Sequence, residues 1–171
     1  MYLKKFFFKS TNSTNDEAIK KIKQGDEKGI IIAEKQKKGR GRYGNKWISI
    51  KGNLFISIFF NIKKNKSLTK ITKKNCILLK KTFNKFINKE IQIKPPNDLL
   101  IDKKKFCGIL QETINFKEKK FIIIGIGVNL YKSPNINNYP TTHLSNYNEK
   151  INKIAIFKKI KKCYENEYLC I

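Results

Sequence analysis

The order of apolar segments along this chain constrains its fold more than any other feature of the sequence. Short apolar or alternating runs of strand length are interleaved with longer stretches whose apolar residues recur at helical spacing. The predicted strands are 2–9, 29–34, 53–60, 91–94, 99–101, 106–114 and 121–130, and the predicted helices are about 13–25, 67–88 and 151–168. Because two neighbouring strands form a hairpin, the pattern does not repeat as uniform βαβ units. We therefore predict an α+β fold with a mixed, largely antiparallel sheet flanked by helices.

The length of the chain fits one domain. Its 171 residues can enclose a single core, and no linker or long internal repeat divides them, so residues 1–171 are taken as one domain. No run of 18 apolar residues is present, and the apolar start is too short for a signal peptide. We expect a cytoplasmic protein with no membrane partner.

The net charge of +25 normally indicates a nucleic acid or an anionic membrane as partner. Here the lysines are spread over the whole chain, and Lys, Ile and Asn are all abundant, as an AT-rich genome would encode. A basic RNA-binding protein stays the alternative of a different class. It requires aromatic residues interleaved with clustered lysines, whereas the 12 Phe residues lie mostly in apolar strands.

The arginines contrast with this background. The chain has 36 lysines but only two arginines, Arg40 and Arg42, both in the glycine-rich loop Gly39–Gly44. Arginine offers a planar, bidentate fork that suits phosphate and carboxylate, which lysine does not provide. Glycines let the backbone approach a ligand closely. The loop therefore predicts an anion clamp, with the two arginines pointing the same way from an extended backbone.

Three further segments combine polar residues with strand ends. They are Lys94-Pro95-Pro96-Asn97-Asp98, Lys105-Phe106-Cys107-Gly108-Ile109-Leu110 and Gly125-Ile126-Gly127-Val128-Asn129. The first is also explained by turn chemistry, and the lysine of the second is one of many. Glycines inside the last strand indicate close approach of a ligand or of another backbone.

Cysteine and histidine chemistry is not indicated. The four cysteines, Cys76, Cys107, Cys163 and Cys170, have no metal-binding spacing and are predicted to be reduced, mostly packed thiols. His143 is the only histidine, and no G-x-S-x-G motif accompanies it. A histidine-based metal site is therefore excluded.

Taken together, the motifs resemble the catalytic domain of biotin protein ligases, a family that joins biotin to a lysine of the biotin carrier domain of carboxylases. The resemblance covers about residues 6 to 131. It implies the fold shared by biotin synthetases and class II aminoacyl-tRNA synthetases. The residues that carry it are Ser13-Thr14-Asn15, Gln36, Gly39 to Trp47, Asn53-Leu54, Lys94 to Asp98, Lys105-x-x-Gly108-Ile109-Leu110 and Gly125-x-Gly127-Val128-Asn129.

The resemblance also implies a reaction and a set of roles. Biotin and ATP form biotinyl-5′-AMP, and the acceptor lysine then displaces AMP. The catalytic residues would be Arg40, Arg42 and Lys105. Biotin would be bound by Ser13, Thr14, Asn15, Gln36, Arg40, Gly41, Arg42, Trp47, Lys105 and Gly108. ATP would be bound by Arg42, Lys94, Asn97, Asp98, Lys105 and Asn129, with Mg²⁺ held through the nucleotide at Asp98.

The chain departs from the family pattern in several places. The family usually has Trp where this chain has Pro95, so an aromatic wall is missing, and Tyr43 and Asn45 stand where many members carry basic residues. We expect no N-terminal winged-helix domain, hence no specific DNA binding, and no C-terminal β-barrel. A biotin carrier domain is the expected partner, and a homodimer is possible. Lipoate ligases and octanoyl transferases of the same fold are the nearest alternative.

Overall fold

The computed structural model describes residues 2–63, 67–137 and 139–168, which form a mixed sheet flanked by helices. The strands are β1 (Lys4–Phe8), β2 (Lys28–Ala33), β3 (Leu54–Ile62), β4 (Gln92–Lys94), β5 (Asp98–Ile101), β6 (Lys104–Phe116) and β7 (Lys119–Val128). The helices are α1 (Thr14–Lys23), α2 (Leu68–Phe83) and α3 (Lys153–Tyr168). Within these ranges, no helix is long and apolar enough to cross a membrane.

The sheet has the strand order β1-β2-β3-β7-β6-β5-β4. β1 pairs with β2 in parallel, whereas each of the other neighbouring pairs is antiparallel. The longest pairings join β3, β7 and β6 at the centre, and β5 with β6 forms the predicted hairpin. The structure thus confirms a mixed, largely antiparallel sheet, and it places β1 at one edge.

Helices cover both faces of the central strands. α2 and α3 pack on one face, where Leu79 and Ile156 join Ile124 in the larger core cluster. α1 packs on the other face, where Ala18 and Ile22 lie in the cluster that contains the neighbouring β7 residue, Ile123. Because successive strand residues point to opposite faces, burial of both faces requires the nearly continuous apolar runs seen in β3 and β7.

One local prediction differs from the structure. Helix α2 ends at Phe83 instead of continuing to about residue 88, because Phe86 closes a tight turn by donating from its N–H to Phe83 O at 2.8 Å. Ile87 is nevertheless buried in the core. Its position in the apolar pattern therefore correctly indicated burial but did not indicate that the helix extends this far. At the start of α1, Ser13 occupies the N-cap position without a side-chain capping bond, and Gln36 Oε1 accepts from the N–H of Thr14.

The cysteines within the described residues are free thiols. Cys76 and Cys107 are buried, and burial raises the pKa of Cys76 to about 11 and that of Cys107 well above its usual value. Both are therefore protonated and unreactive at neutral pH. Cys163 is partly buried, and Cys170 lies outside the described residues.

Candidate active site

A cavity of about 430 Å³ lies where the start of α1, the loop 39–47 and the β4–β5 turn meet over the centre of the sheet. It brings together most of the residues singled out in the sequence. Those that line it are Ser13, Thr14, Asn15, Gln36, Arg40, Gly41, Arg42, Trp47, Asn97, Asp98, Lys105 and Gly108. Lys94 and Asn129 are not among the lining residues.

Glycines in β6 and β7 make room for the side chains that build this cavity. A Cβ atom on Gly125 would lie 2.5 Å from Asn15 Oδ1, and one on Gly108 would lie 2.9 Å from Trp47 Cζ3. A Cβ atom on Gly127, which pairs with Gly108, would overlap the Trp47 indole. All three glycines line the cavity, and side chains of the same protein also pack against them, so close approach of a ligand at these positions stays a prediction.

One side of the cavity is built from neutral amides and hydroxyls, and we call it the amide side (Thr14, Asn15, Gln36 and Ser57). Gln36 Oε1 accepts from Thr14 N at 2.8 Å and from Thr14 Oγ1 at 3.0 Å. The Ser57 hydroxyl lies 2.7 Å from Thr14 Oγ1 and also contacts Asn15 Oδ1. The bonds among these four side chains are neutral. Sequence analysis missed Ser57, although a lone serine in the apolar strand β3 was a signal.

Glu112 joins the amide side to the loop. Its carboxylate accepts from Asn15 Nδ2 and also from Arg40 Nη2, at 3.1 and 3.2 Å. Arg40 Nη1 donates to Asp16 at 2.6 Å, so this guanidinium ties the loop to α1 and to β6. Burial lowers the pKa of Arg40, but the two carboxylates outweigh burial and raise it overall. Neither Glu112 nor Asp16 was identified from the sequence.

The loop that carries the arginines is a small hairpin, not an extended segment. Arg40 forms an antiparallel bridge with Lys46, and Trp47 N donates to Gly39 O at 2.9 Å. Residues Arg42–Gly44 make a 3₁₀ turn in which Tyr43 adopts a φ of 54° with its side chain exposed. Only Gly41, in an extended conformation, separates the two arginines, and both line the cavity, so the expectation that they point the same way stays a prediction.

Arg42 has different partners from Arg40. Its guanidinium lies 4.7 Å from the centre of the Tyr43 ring, and its Nη2 donates to the Tyr43 hydroxyl at 2.8 Å. Among the described residues, no carboxylate forms an ion pair with Arg42, in contrast to Arg40. Arg42 therefore has the less compensated charge of the two.

Another side of the cavity carries charge, and we call it the charged side (Asp98, Lys105 and Tyr139). Lys105 Nζ lies 2.9 Å from Asp98 Oδ1, and the Tyr139 hydroxyl donates to Asp98 Oδ2 at 2.6 Å. The same ammonium lies 5.4 Å from the centre of the Trp47 ring, so Lys105 stands between the indole and the carboxylate. Tyr139 belongs to the polar loop after β7 and was not identified from the sequence.

The side chains of Asn97 and Asn129 donate hydrogen bonds to backbone carbonyls. Asn97 lines the cavity, but its Nδ2 donates to Ile109 O at 2.6 Å. Asn129 is only 2 % exposed, and its Nδ2 donates to Thr142 O at 3.2 Å. The structure therefore places Asn129 behind the cavity, where it fastens the segment that follows β7.

Asn53 fastens the same segment from β3. Its Oδ1 accepts from the N–H groups of Leu130, Tyr131 and Lys132, and its Nδ2 donates to Lys132 O at 2.7 Å. Asn53 is fully buried, and the backbone after β7 satisfies its amide. The path of the loop that carries Tyr139 is thus set at its base by side-chain amides.

The two oxygens of Asp98 differ in their partners. Oδ2 accepts from the Tyr139 hydroxyl, whereas Oδ1 is buried 2.9 Å from Lys105 Nζ with no hydrogen-bond partner among the described residues. Within the described ranges, no cluster of three His, Cys, Asp or Glu side chains is placed to bind a metal ion. The assignment of Mg²⁺ to Asp98 stays a prediction, and no step is derived through it.

Similar sequences are known. A model of the biotin/lipoate A/B protein ligase family matches residues 6–129. The bifunctional ligase/repressor BirA of Bacillus subtilis is 29% identical over 150 residues, which are 81% of this chain and 45% of BirA. BirA of Escherichia coli is 34% identical over 124 residues, which are 71% of this chain and 38% of BirA. The chain thus spans less than half the length of these curated relatives.

Solved structures share the fold. A biotin protein ligase from Aquifex aeolicus, in complex with biotin and ATP, superposes with a TM-score of 0.80 at 25% identity over 95% of this chain and 69% of that one. A ligase from Leishmania major with biotinyl-5-AMP gives 0.78 at 22% identity, covering 95% and 75%. An archaeal lipoate protein ligase from Thermoplasma acidophilum gives 0.66 at 9% identity, covering 97% and 83%. The last two likenesses concern the fold alone, and the predicted fold class is confirmed.

Proposed function

This chain belongs to the biotin/lipoate A/B protein ligase family, and we propose that it uses ATP to attach biotin to a lysine of a biotin carrier domain. The observation that carries the proposal is the position of Lys105. Its ammonium lies between the Trp47 ring and the Asp98 carboxylate, in a cavity with a neutral amide side and a charged side. Such a site suits a molecule with a neutral polar head at one end and an anion at the other.

The amide side would receive the ureido head of biotin. A ureido group is neutral and both donates and accepts hydrogen bonds, as do the hydroxyls and amides of Thr14, Asn15 and Gln36. Trp47 would line the apolar part of the ligand. The carboxylate end of biotin would then face Lys105, which compensates its charge.

In the first step a carboxylate oxygen of biotin attacks the α-phosphorus of ATP. The bond from this phosphorus to the bridging oxygen breaks, and pyrophosphate leaves with the bonding electrons. An anion must approach a polyanion, so fixed positive charge lowers the barrier. Lys105 and Arg42 supply this charge, Lys105 from the sheet and Arg42 from the loop.

In the second step the amine of the acceptor lysine attacks the acyl carbon of biotinyl-5′-AMP. An amide bond forms, the acyl carbon–oxygen bond breaks, AMP leaves, and the amine gives up a proton. Between the steps the loop 39–47 would cover the mixed anhydride and keep water from it.

Mg²⁺ enters this proposal with the nucleotide. A divalent ion bound to the phosphates would neutralise part of their charge during the first step. Asp98 is the predicted protein contact of this ion, through Oδ1, which lies 2.9 Å from Lys105 Nζ and has no hydrogen-bond partner among the described residues. Cytoplasmic location and a homodimer likewise stay predictions.

The test is incubation of the folded protein with labelled biotin, Mg·ATP and a biotin carrier domain. We expect label on the carrier only with ATP present, and none on a carrier whose acceptor lysine is replaced by arginine. Biotinyl-5′-AMP should accumulate when the carrier is left out. Parallel reactions contain lipoate or octanoate, and a separate titration contains RNA at several salt concentrations.

The outcomes separate the alternatives. Labelling with lipoate or octanoate but not with biotin would replace the proposed substrate. Salt-dependent RNA binding with no acyl-adenylate would favour the RNA-binding class. No labelled carrier from a folded protein would overturn the proposed function.

A further inference from the structure

We propose that Tyr139 is a positioning residue that arranges Lys94, Asp98 and Lys105 around the phosphates of the nucleotide. The inference rests on the proposed function, and it assigns a role to a loop residue outside the motifs of the sequence. Tyr139 lines the cavity, and a single side chain there contacts all three charged groups.

The contacts of Tyr139 are of two kinds. Its hydroxyl donates to Asp98 Oδ2 at 2.6 Å, whereas Lys105 Nζ lies 2.9 Å from the other oxygen, Oδ1. Its ring has Lys94 Nζ at 4.5 Å and Lys105 Nζ at 5.3 Å from its centre, both within range of a cation–π interaction. The ring and the hydroxyl thus act on the same charges from one residue.

The hydrogen bond fixes the direction of the Asp98 carboxylate. Burial, followed by the hydrogen bond to Asp98 and the charge of its carboxylate, raises the pKa of Tyr139, so the phenol keeps its proton and donates at neutral pH. A carboxylate held at Oδ2 presents Oδ1 to Lys105 in one orientation. Without that donor the carboxylate is free to rotate, and Lys105 loses a fixed partner.

The backbone around Tyr139 is tied to the residue that it positions. Lys105 N donates to Pro140 O at 2.9 Å, and Thr142 N donates to Lys105 O at 2.9 Å. Asn129 Nδ2 then fastens Thr142 O to the end of β7. The loop therefore returns to β6 directly beside Tyr139, which makes the placement of the ring a consequence of the fold.

The matched variants are Tyr139→Phe and Tyr131→Phe. Both remove one hydroxyl from the segment after β7, but the Tyr131 hydroxyl donates to Ile151 O, and Tyr131 does not line the cavity. A hydrogen bond to a charged group is worth enough to change an equilibrium about tenfold or more. We therefore expect Tyr139→Phe to weaken ATP binding, measured by calorimetry without biotin, about tenfold. Biotin affinity should not change.

Tyr131→Phe is the control and should leave ATP affinity within twofold or so of the parent. A double-mutant cycle with Asp98→Asn then tests the route of the effect. If Tyr139 acts through Asp98, Tyr139→Phe has little effect in the Asp98→Asn background. Equal ATP affinity in the parent and Tyr139→Phe, full additivity in the cycle, or an equal loss in Tyr131→Phe would each overturn the inference.

Measurement of ATP binding separates this inference from the proposed function. A parent that binds ATP and loses affinity on Tyr139→Phe supports the role of Tyr139 even if no biotinyl-5′-AMP forms, which would count against biotin activation alone. A parent that makes biotinyl-5′-AMP while Tyr139→Phe binds ATP as the parent does contradicts the inference alone. A folded parent that binds no ATP either without or with biotin contradicts both.

Discussion

Different interactions stabilise the two sides of the cavity. On the amide side, Thr14, Gln36 and Ser57 satisfy each other with short neutral hydrogen bonds. On the charged side, Lys105 faces the carboxylate of Asp98, which also accepts from Tyr139. Charge enters the amide side only at its edge, where Asn15 donates to Glu112, whereas an ion pair lies at the middle of the charged side.

The difference teaches what each side can recognise. A neutral network selects by the positions of its donors and acceptors, because leaving a buried amide unpaired costs about 1–3 kcal/mol. A paired ammonium keeps an attraction for further anions that weakens as salt screens it. We therefore expect the amide side to set which acid binds and the charged side to set how fast it reacts.

Replacing Lys105 by alanine tests this division most severely. We expect Lys105→Ala to slow adenylate formation on the order of 10²–10³-fold, since it removes fixed charge where charge develops. Biotin affinity should change much less. Pyrophosphate exchange and direct biotin binding measure the two effects.

The control for that variant is Lys104→Ala. It removes the same charge from the preceding, exposed residue of β6, so adenylate formation should stay near that of the parent. If Lys105→Ala lowers biotin affinity as strongly as it lowers the rate, the two sides are not separate in function.

Adding one methyl group at Gly127 tests the shape of the amide side and its wall. Gly127→Ala would overlap the Trp47 indole, and crowding of this kind destabilises a fold by about 1–3 kcal/mol. We expect both a lower free energy of unfolding and weaker biotin binding, measured by denaturation and by calorimetry.

Gly29→Ala is the matched control for crowding. It adds the same methyl group in β2, 2.7 Å from the Phe59 ring and away from the cavity. It should lower stability without changing biotin affinity. Loss of biotin binding in both variants would mean that reduced stability, not the position of Trp47, explains the effect.

Exchanging each arginine for lysine compares the two cations of the loop. Arg42→Lys should release biotinyl-5′-AMP about tenfold faster, because lysine cannot form the two parallel hydrogen bonds of a guanidinium. The free energy of unfolding should stay unchanged, because the Arg42 guanidinium has no carboxylate partner among the described residues. Arg40→Lys should instead lower stability by about 0–1 kcal/mol, since its exposed ion pairs join α1 to β6. Adenylate retention and denaturation measure them, and the reverse pattern would contradict the assignment.

The smallest expected effect is the pH dependence of stability that His143 causes, in the loop that follows β7. Burial lowers the pKa of His143 below 6.5, so the unfolded chain binds a proton more readily than the folded one. The sign follows from linkage: stability is full above pH 6.5 and declines as the pH falls below it. Denaturation between pH 7.5 and 5.5 should show a shallower slope for His143→Asn, and an identical slope would remove His143 as the cause.

The fold could be predicted from the sequence because its signals are local. Apolar runs identified the strands, and helical spacing identified α1, α2 and α3. The end of α2 could not be predicted. The chain forms a turn after Phe83, and this turn buries Ile87 in the core as a longer helix would have done. Spacing reports which residues are buried, and several backbone paths satisfy the same burial.

The candidate site could be predicted only as far as its motifs reach. Arg40, Arg42 and Lys105 stand out by residue type and by neighbouring glycines. Glu112 and Tyr139 do not, because their roles depend on contacts with residues 97 and 41 positions away in the chain. Such contacts exist only once the sheet has formed, so no local pattern encodes them.

Gly108, Gly125 and Gly127 lack side chains, and Asn15 and Trp47 pack in the space this leaves on the sheet. Movement of these two side chains is therefore coupled to movement of the sheet. Because Asn15 and Trp47 sit in hollows of the central strands, neither side chain can leave its place without exposing the backbone of β6 and β7. We expect the amides of these strands to exchange hydrogen with solvent only through global unfolding. The part of the sheet beneath the ligand would then exchange hydrogen as slowly as the core. Opening of the cavity would involve only the loops above it.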